Sequence, residues 1–255
     1  MNIFYIVKLF ALSIVFTLSI AVEYAFALTG QEIMEKNDSL PNPSSMVTES
    51  KLKIYKGSRV IEKIFSGISK KYGEEMRARV TFSYPTRIEF LMWDEPGKDS
   101  VQWLKTSTGK VRKIASTSKG NAWVNSHFYY EDLGDHEIEN YNYKYIGDAD
   151  VADSKGNKTL CYKVEAQKKS GSMVYSKIII YVGQKDFVIR RFDFFERGMH
   201  TKSMFNYRIE KISGIYTPRA ILMQRTDGKG KSILFLKDVK YNVEINDQKL
   251  KRESF

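Results

Sequence analysis

Three histidines, His127, His136 and His200, are the first residues that could serve in catalysis or bind a metal. Their spacing matches no zinc-binding pattern, and the chain contains no HExxH motif. The order of residue types leaves Ser-His-Asp catalysis open, but there is no GxSxG segment to expose a nucleophilic serine. We therefore expect no enzymatic activity, no metal site and no cofactor.

The stretch YEDLGDHEIENY, residues 130–141, gathers acidic side chains that could hold a cation. Its candidate ligands are Glu131, Asp132, Asp135, His136, Glu137 and Glu139. A solvated acidic turn, in which Asp135 caps a following helical turn, is the commoner arrangement for such a sequence. We adopt that interpretation, and an exported hydrolase built on these residues is the weakest of the functional hypotheses.

Two further segments only superficially resemble ion-binding or phosphate-binding loops. In GDADVADSKGN, counting from Asp148 puts the third calcium-ligand position at Ala152 and the closing position at Thr159, so an EF-hand is excluded. GKGKS, residues 228–232, lacks the GxxxxGK[ST] spacing of a P-loop. We interpret it as a basic turn.

Cys161 is the only cysteine in the chain, so the protein folds without an internal disulfide. It lies between Leu160 and Tyr162, and free cysteine in such a setting is usually buried as a small apolar residue. We expect Cys161 to pack in the core and not to act as a reactive thiol.

The chain is basic, with 41 Lys and Arg against 30 Asp and Glu, a net charge of +11. Such an excess often indicates nucleic-acid binding. Here the basic residues are spread through nearly every segment, and the chain begins like an exported protein, so we expect no nucleic-acid partner. The simplest explanation of the excess is that the basic residues lie on solvated strand faces. The alternative is that they attract the protein to anionic membranes or acidic partners.

Residues 1–27 have the layout of a secretory signal peptide. Lys8 precedes an apolar run over residues 9–22, and small residues stand at Ala25 and Ala27. An uncleaved membrane anchor is the alternative, but the apolar run is shorter than the ~20 residues a spanning helix needs. We predict cleavage after Ala27 and a soluble, monomeric, single domain of residues 28–255 in the periplasm.

The first element of the mature chain is predicted to be a short helix. Thr29 can cap it, Glu32 three residues later completes a capping box, and Leu28 and Ile33 occupy the hydrophobic-staple positions. Asn37, Asp38, Pro41, Asn42 and Pro43 follow and should end it.

From Met46 the hydrophobic period changes to two, the signature of β-strands. MRARVTFSYP puts Met76, Ala78, Val80, Phe82 and Tyr84 on one face, and TRIEFLMWDEPG is apolar on both faces, so we expect its strand to be covered twice. The other predicted strands are SKLKIYKG, SVQWLKT, KVRKIAS, KTLCYKVEAQ, YSKIIIYVG, FVIRRFDFF, TKSMFNYRIEKI, IYTPRAILMQRT and KSILFLKDVKYNVE. Many strands separated by turn glycines predict a meandering antiparallel sheet that curls on itself.

The chain is rich in large apolar residues, with 16 Tyr, 15 Phe and 9 Met. A curled sheet could leave a hollow lined by these side chains, which would suit acyl chains because each buried CH₂ contributes ~0.8 kcal/mol. An ordinary filled core is the alternative, and composition alone favours it.

The order and spacing of several segments resemble the outer-membrane lipoprotein-sorting protein family with the LolA-like fold, in its longer-chain branch. These segments are PTRIEFLMW, QWLK, VRKIAS, NSHFYYEDL, LCYKVEAQKK, and YSKIIIYVGQKDFVIRRFDFFERG followed by TKSM. They span nearly the whole mature chain. Two departures fall in one loop, where Asn125 replaces the family's glycine and His127 its aspartate.

The resemblance implies a strongly curved antiparallel sheet, mainly β, that forms an unclosed half-barrel with a short-helix lid over its concave face. It also implies a periplasmic carrier that takes the acyl chains of lipoproteins or other lipids toward the outer membrane, between an inner-membrane exporter and an outer-membrane acceptor. An envelope sensor or protein-interaction module using the same sheet without lipid is the alternative function.

Candidate lipid-binding residues are Phe82, Phe90, Met92, Phe128 and Tyr129, although alternation does not determine which face of a strand is inward. In SHFYYEDL we expect Ser126 to cap a helical turn of the lid. Phe128, Tyr129 and Leu133 should then face the sheet while Glu131 and Asp132 face water. The alternative is that this loop packs locally on the core.

Overall fold

The computed structural model describes residues 27–98, 100–133, 138–170 and 174–255. The predicted signal peptide, except for Ala27, lies outside the described residues, as do Asp135, His136 and Glu137 of the acidic stretch. Signal cleavage and the role of Asp135 as a cap therefore stay predictions.

The described residues form one antiparallel sheet of thirteen strands. Its elements are α1 Gly30–Asp38, β1 Ser45–Lys56, β2 Arg59–Tyr72, β3 Glu75–Tyr84, β4 Ile88–Asp94, β5 Val101–Lys105, β6 Val111–Lys113, β7 Tyr141–Ala152, β8 Lys158–Lys168, β9 Lys177–Gly183, β10 Ile189–Glu196, β11 Met199–Ile212, β12 Ile215–Arg225 and β13 Lys231–Tyr241. The order across the sheet is β6-β5-β4-β3-β2-β1-β13-β12-β11-β10-β9-β8-β7. Strands β1–β6 form one meander and β7–β13 a second, and antiparallel pairing of β1 with β13 joins the two.

The sheet is not closed, because β6 and β7 stand at opposite ends of this order and each pairs with one neighbour within the described residues. A sheet with this many strands twists and curls, which gives it a concave face. The chain between β6 and β7 contains short 3₁₀ turns at Ser116–Ser118, Trp123–Asn125, Glu131–Leu133 and Ile138–Asn140. The predicted mainly-β, unclosed half-barrel is confirmed.

Two of the thirteen strands, β2 and β7, are absent from the sequence-based prediction. In β2 the period is interrupted by Gly67, which faces the Thr48 side chain of β1 so closely that a Cβ would lie 3.1 Å from its methyl carbon. β7 contains Gly147, Asp148 and Asp150, residue types that favour loops, and its register shifts between Tyr145 and Asp148. An edge strand with one solvated face tolerates such residues.

The predicted helix is confirmed with its capping box. The backbone N–H of Thr29 donates to Glu32 Oε2 at 2.7 Å, and the N–H of Glu32 donates to Thr29 Oγ1 at 3.2 Å. Ile33 is buried and Leu28 packs against the same core cluster. The helix ends at Asp38, before the proline-containing segment, as predicted.

The prediction that both faces of strand β4 are buried is confirmed. Phe90 and Met92 face the concave side, while Leu91 and Trp93 face the convex side, where the chain after β13 covers them. The Trp93 Nε1–H donates to the carbonyl of Leu250 at 3.1 Å. Phe255 is also buried there, and the Arg79 guanidinium lies 5.4 Å from the centre of its ring.

Cys161 is fully buried in a small cluster with Val151, Ile179 and Tyr181. Burial raises the pKa of its thiol to about 11, so the thiol stays protonated near neutral pH. The predicted packing role is confirmed.

Within the ranges described above, no helix has the length and apolar character needed to span a membrane.

Candidate ligand-binding cavity

A cavity of about 570 Å³ lies on the concave face of the sheet. Its floor crosses seven neighbouring strands, from β4 through β1 and β13 to β11, because alternate residues of each strand point to the same face. Apolar floor residues are Met46, Phe65, Met76, Ala78, Val80, Phe90, Met92, Met204, Ile221, Leu234 and Leu236. The cavity is therefore lined mainly by aliphatic, aromatic and thioether groups.

Four methionines, Met46, Met76, Met92 and Met204, come from four different strands of this floor. Methionine has three rotatable bonds and no branching, so it adapts to ligands of variable shape. A floor of this kind favours flexible apolar ligands over one rigid compound.

The lid, residues 119–133, crosses the concave face near β2–β5. Its Trp123 ring is inserted among aromatic rings of the sheet, with centroid distances of 5.8 Å to Phe65, 5.4 Å to Phe82 and 5.9 Å to Phe90. A backbone bond of 2.7 Å from Trp123 N to Phe128 O folds the lid onto itself. Gln102 Nε2 of β5 donates to Tyr130 O at 3.2 Å and fastens the lid to the sheet.

The tight turn in the lid requires left-handed backbone at Val124 (φ 46°) and Asn125 (φ 63°). Asparagine adopts this conformation more readily than most residues, so Asn125 fits where the resembling family has glycine. Val124 is β-branched, so the left-handed conformation has a higher steric energy at this residue than at Asn125. The turn is thus held in place by the packing of Trp123 on one side and of Phe128 on the other.

A buried ion pair connects the lid to β11. Lys202 Nζ lies 2.7 Å from Asp132 Oδ2, and their side chains are only 3% and 1% exposed. Asp132 also accepts hydrogen bonds from Tyr175 Oη and, at 2.7 Å, from Tyr129 N. Burial lowers the pKa of the Lys202 ammonium, and the Asp132 carboxylate opposes that shift.

The expectation that Asp132 and Glu131 face water is wrong. Lys202 points from the concave face of β11 into the interior, and a buried ammonium needs a counter-ion, which Asp132 supplies. Glu131 is largely buried, with Oε1 3.8 Å from Lys168 Nζ. Ser126 does not cap the turn Glu131–Leu133; its hydroxyl accepts from Phe128 N at 3.1 Å, and the Asp132 carboxylate accepts from Tyr129 N at the start of that turn.

A second polar contact joins the lid to β13. His127 N donates to Ser232 Oγ at 3.1 Å, and His127 Nδ1 lies 2.8 Å from the same oxygen. Gly230 permits this approach, since a Cβ there would lie 2.5 Å from His127 Nε2. Burial and nearby cations, Lys56 first among them, lower the pKa of His127.

The structure places three of the five predicted site residues, Phe90, Met92 and Phe128, on the wall of this cavity. Phe82 instead lies in the aromatic cluster with Phe65 and Trp123. Tyr129 covers the Lys202 ammonium, whose Nζ is 3.3 Å from its ring centre. Whether the three wall residues bind lipid stays a prediction.

Sequence reasoning missed Lys202, although one signal was available. In β11 the period of two places Lys202 on the same face as Met204, whereas Thr201 and Ser203 lie on the other face. A lysine on the same strand face as a core methionine indicates either that the buried part of that face ends there or that the lysine forms a buried ion pair. The acidic stretch of the lid then contains the natural partner.

A second cavity of about 370 Å³ adjoins the first on the concave face, over β7–β10 and the start of β12. Its apolar wall includes Met34, Tyr141, Tyr143, Ala166, Ile178, Ile180, Ile189 and Phe192. Asp38, the last residue of α1, and Asn42, from the segment that follows it, contribute to the walls of both cavities.

A serine, a histidine and an aspartate do meet on the convex face, but not as a catalytic triad. His200 Nε2 is 3.0 Å from Ser203 Oγ and, with the same nitrogen, 3.4 Å from Asp193 Oδ1. Ser203 donates directly to Asp193 Oδ1 at 2.6 Å. A triad needs the aspartate on the opposite ring nitrogen, so this arrangement does not activate the serine.

No group of three or more His, Cys, Asp or Glu side chains in the described part of the chain is placed to hold a metal ion. In the acidic stretch, Asp132 is already engaged by Lys202.

A family model described as "-like: Uncharacterized protein" matches residues 75–255. This is more than half of the chain, so the chain belongs to that family. A search of curated protein sequences finds no match.

Solved structures show the same fold at low sequence identity. A DUF1329 family protein from Desulfovibrio piger has a TM-score of 0.82 and 22% identity, covering 88% of this chain and 97% of that one. A domain described as an outer membrane lipoprotein-sorting protein, from Vibrio parahaemolyticus, has a TM-score of 0.80 and 17% identity over the same shares. A LolA superfamily protein from Nitrosomonas europaea has 0.65 and 16%, covering 90% of this chain and 100% of that one. The LolA-like fold expected from the sequence is confirmed.

Proposed function

We propose that the protein is a non-enzymatic periplasmic carrier that holds the acyl chains of lipoproteins or other lipids and takes them toward the outer membrane. The observation that carries this proposal is the cavity of about 570 Å³, lined by apolar groups of seven strands. That volume is within the ~300–1,000 Å³ typical of small-ligand sites.

Hydrocarbon is the ligand chemistry that such walls favour. Each methylene moved from water into the cavity contributes ~0.8 kcal/mol, so a long chain gains considerable binding energy without directional contacts. The methionine side chains can adjust to chains of different length and unsaturation.

The carrier proposal also draws on the fold and on the predicted signal peptide. Export would place the protein between two membranes, and a half-barrel with a lid can shield an acyl chain from water during transfer. We propose an inner-membrane exporter and an outer-membrane acceptor as its partners.

The direct test is to purify the mature protein under native conditions, extract it with organic solvent and identify lipids by mass spectrometry. A fluorescent fatty-acyl probe then measures binding to the delipidated protein. Stoichiometric lipid or saturable probe binding is expected. Neither lipid nor probe binding would contradict the proposal, and a stoichiometric protein partner in envelope cross-linking would favour an interaction module instead.

A pair of variants on β3 localises the binding. Ala78→Trp fills the larger cavity and should weaken the probe by about tenfold or more, equivalent to excluding about two methylenes. Ser83→Trp adds the same ring on the opposite, exposed face of β3 and should leave affinity unchanged. Equal effects of both variants would contradict binding in this cavity.

A further inference from the structure

In the part of the chain that the structure describes, the concave face carries two apolar compartments, the larger cavity of about 570 Å³ and the smaller of about 370 Å³. Their floors are contiguous on the sheet. Met204 of β11 lines the larger cavity and Phe192 of β10 the smaller, and these two residues are direct cross-strand partners. Opposed residues in an antiparallel pair have Cβ atoms about 5 Å apart, so the compartments are neighbours and not separate sites.

The segment that borders both compartments is the linker, residues 38–43, which consists of the last residue of α1 and the chain that leads from it toward β1. Asp38 and Asn42 of the linker lie on the walls of both cavities. In contrast to the apolar floors, these two side chains are polar and exposed to solvent. Both compartments therefore have a polar, solvent-exposed border in common.

The linker is fixed at both ends. Before it, Asn37 Nδ2 donates to the carbonyl of Phe187 at 2.7 Å, which ties it to the turn between β9 and β10. After it, the N–H of Ser44 donates to Asn242 Oδ1 at 2.9 Å, which ties it to the end of β13. The position of the linker beside both compartments is thus a built feature of the fold.

Two apolar compartments that have a polar border in common match a ligand with two hydrocarbon chains joined through a polar unit. We propose that the ligand carries a diacylglyceryl group, with one acyl chain in each compartment and the glycerol unit beside Asp38 and Asn42. This inference rests on the proposed carrier function and specifies the substrate class. Both phospholipids and diacylated lipopeptides contain this group.

The two-compartment arrangement has a measurable consequence for affinity. A lipid with one chain can fill one compartment, whereas a second chain on the same glycerol binds its compartment intramolecularly, at high effective concentration. A diacyl lipid should therefore compete for the cavity more strongly than its single-chain counterpart.

The experiment uses delipidated mature protein, the fluorescent fatty-acyl probe and three competitors: phosphatidylglycerol, a diacylated lipopeptide and lysophosphatidylglycerol. At least one diacyl competitor should displace the probe about tenfold more strongly than the lyso-lipid, because a second chain buries further methylenes. Stronger displacement by phosphatidylglycerol indicates a phospholipid ligand, and stronger displacement by the diacylated lipopeptide indicates a lipoprotein ligand. If neither exceeds the lyso-lipid, the inference is overturned.

Variants assign the second chain to the smaller compartment. Ile189→Trp fills that compartment and should reduce the diacyl competitor to the strength of the lyso-lipid, with displacement by the lyso-lipid unchanged. Leu40→Trp, from the linker side of the same cavity, gives the same readout should Ile189→Trp fail to fold by circular dichroism. Ala78→Trp in the larger compartment should weaken all competitors.

The outcomes separate this inference from the proposed function. If the probe binds but Ile189→Trp and Leu40→Trp leave the diacyl advantage intact, the two-compartment inference fails while the carrier proposal stands. If the unmodified protein binds neither the probe nor any competitor, the carrier proposal itself fails.

Discussion

The buried pair of Lys202 and Asp132 is the most consequential polar contact between the lid and the sheet. Lys202 belongs to β11 and Asp132 to the lid, and both side chains are almost completely removed from water. Tyr129 and Tyr175 enclose the pair, with Tyr175 Oη donating to the carboxylate. Because neither charge can be solvated where it lies, each depends on the other.

Replacing Lys202 with methionine should strongly destabilise the protein. The variant leaves Asp132 buried without its cation, and breaking a buried pair in this way costs about 3–5 kcal/mol. Urea unfolding measures the change in the free energy of unfolding. The double variant Lys202→Met with Asp132→Leu should recover part of the loss, because it removes both charges.

The matched control is Lys53→Met, which breaks a solvent-accessible pair with Glu62 at 2.8 Å on β1 and β2, where the two side chains are 32% and 38% exposed. Exposed pairs contribute about 0–1 kcal/mol, so the control should unfold almost as the parent does. Equal losses for the two lysine variants would show that the Lys202 pair has no special role.

At this scale the sequence could identify cavity residues on regular strands and not those on the lid. Phe90 and Met92 follow from the alternation of β4, whose two apolar faces limit the choice. Tyr129 faces the sheet, as predicted, but it lies against Lys202 and not on the wall of the larger cavity, and in an irregular segment no period distinguishes these two places. Asp132 was misplaced because an acidic side chain in a turn is usually solvated, and its partner is 70 residues away.

Among the elements, α1 and the linker depend on a close backbone contact at Gly30. A Cβ at this position would lie 2.7 Å from Lys144 C and 2.7 Å from Tyr145 N of β7. The helix therefore begins directly against the edge strand, and from there it leads into the linker that borders both compartments.

Gly30→Ala should lower the free energy of unfolding by about 1–3 kcal/mol, because backbone atoms must shift to admit the methyl group. Helix propensity alone predicts the opposite sign, since alanine is favoured over glycine by up to about 1 kcal/mol. The sign measured by thermal or urea unfolding thus separates the two effects.

Gly120→Ala is the control for this substitution. Its added Cβ would meet Val174 at 3.4 Å, an ordinary contact, and should change stability little. A stabilising effect of Gly30→Ala would contradict the close packing of α1 on β7.

Elements with several coinciding signals could be predicted from the sequence, whereas elements shaped by their neighbours could not. The start of α1 has a cap and a capping box, which the structure contains, and Leu28 and Ile33 at the staple positions pack in one core cluster. Strand β7 has a glycine and aspartates that suggest a loop, and it becomes a strand because β8 pairs with it on both sides of a register shift between Tyr145 and Asp148. Tertiary pairing overrides local preference there.

Across the whole molecule, the half-barrel leaves part of its concave face without protein neighbours. The aromatic cluster around Trp123 fills one region of the interior, while the two cavities leave apolar floor uncovered. The sequence predicted the curled sheet from its many strands and turns. It could not predict which side chains remain unfilled, because that depends on the path of the lid and the linker.

Stability should fall steeply above about pH 10, because several tyrosines are buried. Burial raises the pKa of Tyr181 to about 12, and it also raises the pKa values of Tyr141 and Tyr175. Between the unfolded pKa of about 10 and the folded value, the unfolded chain has lost protons that the folded chain retains, so rising pH favours unfolding. Lys202 acts in the opposite direction, since its folded pKa is lowered.

The variant Tyr181→Phe should reduce the slope of stability against pH between 10 and 12 by at most about one proton. Asp193 keeps its bonds to Ser203 and Arg191 in this variant. Tyr84→Phe, at a tyrosine that is 55% exposed, is the control and should leave the slope unchanged. Urea unfolding at a series of alkaline pH values makes the comparison, and identical slopes for Tyr181→Phe and the parent would contradict the prediction.

The central claim is that hydrocarbon occupies the larger cavity, and methionine-methyl NMR tests it most directly. With ¹³C-methyl methionine, a saturated fatty-acyl ligand should shift the signals of Met46, Met76, Met92 and Met204, which line that cavity. Met199, which is 66% exposed on β11, should not shift. Unchanged signals from the four cavity methionines at saturating ligand would contradict the account.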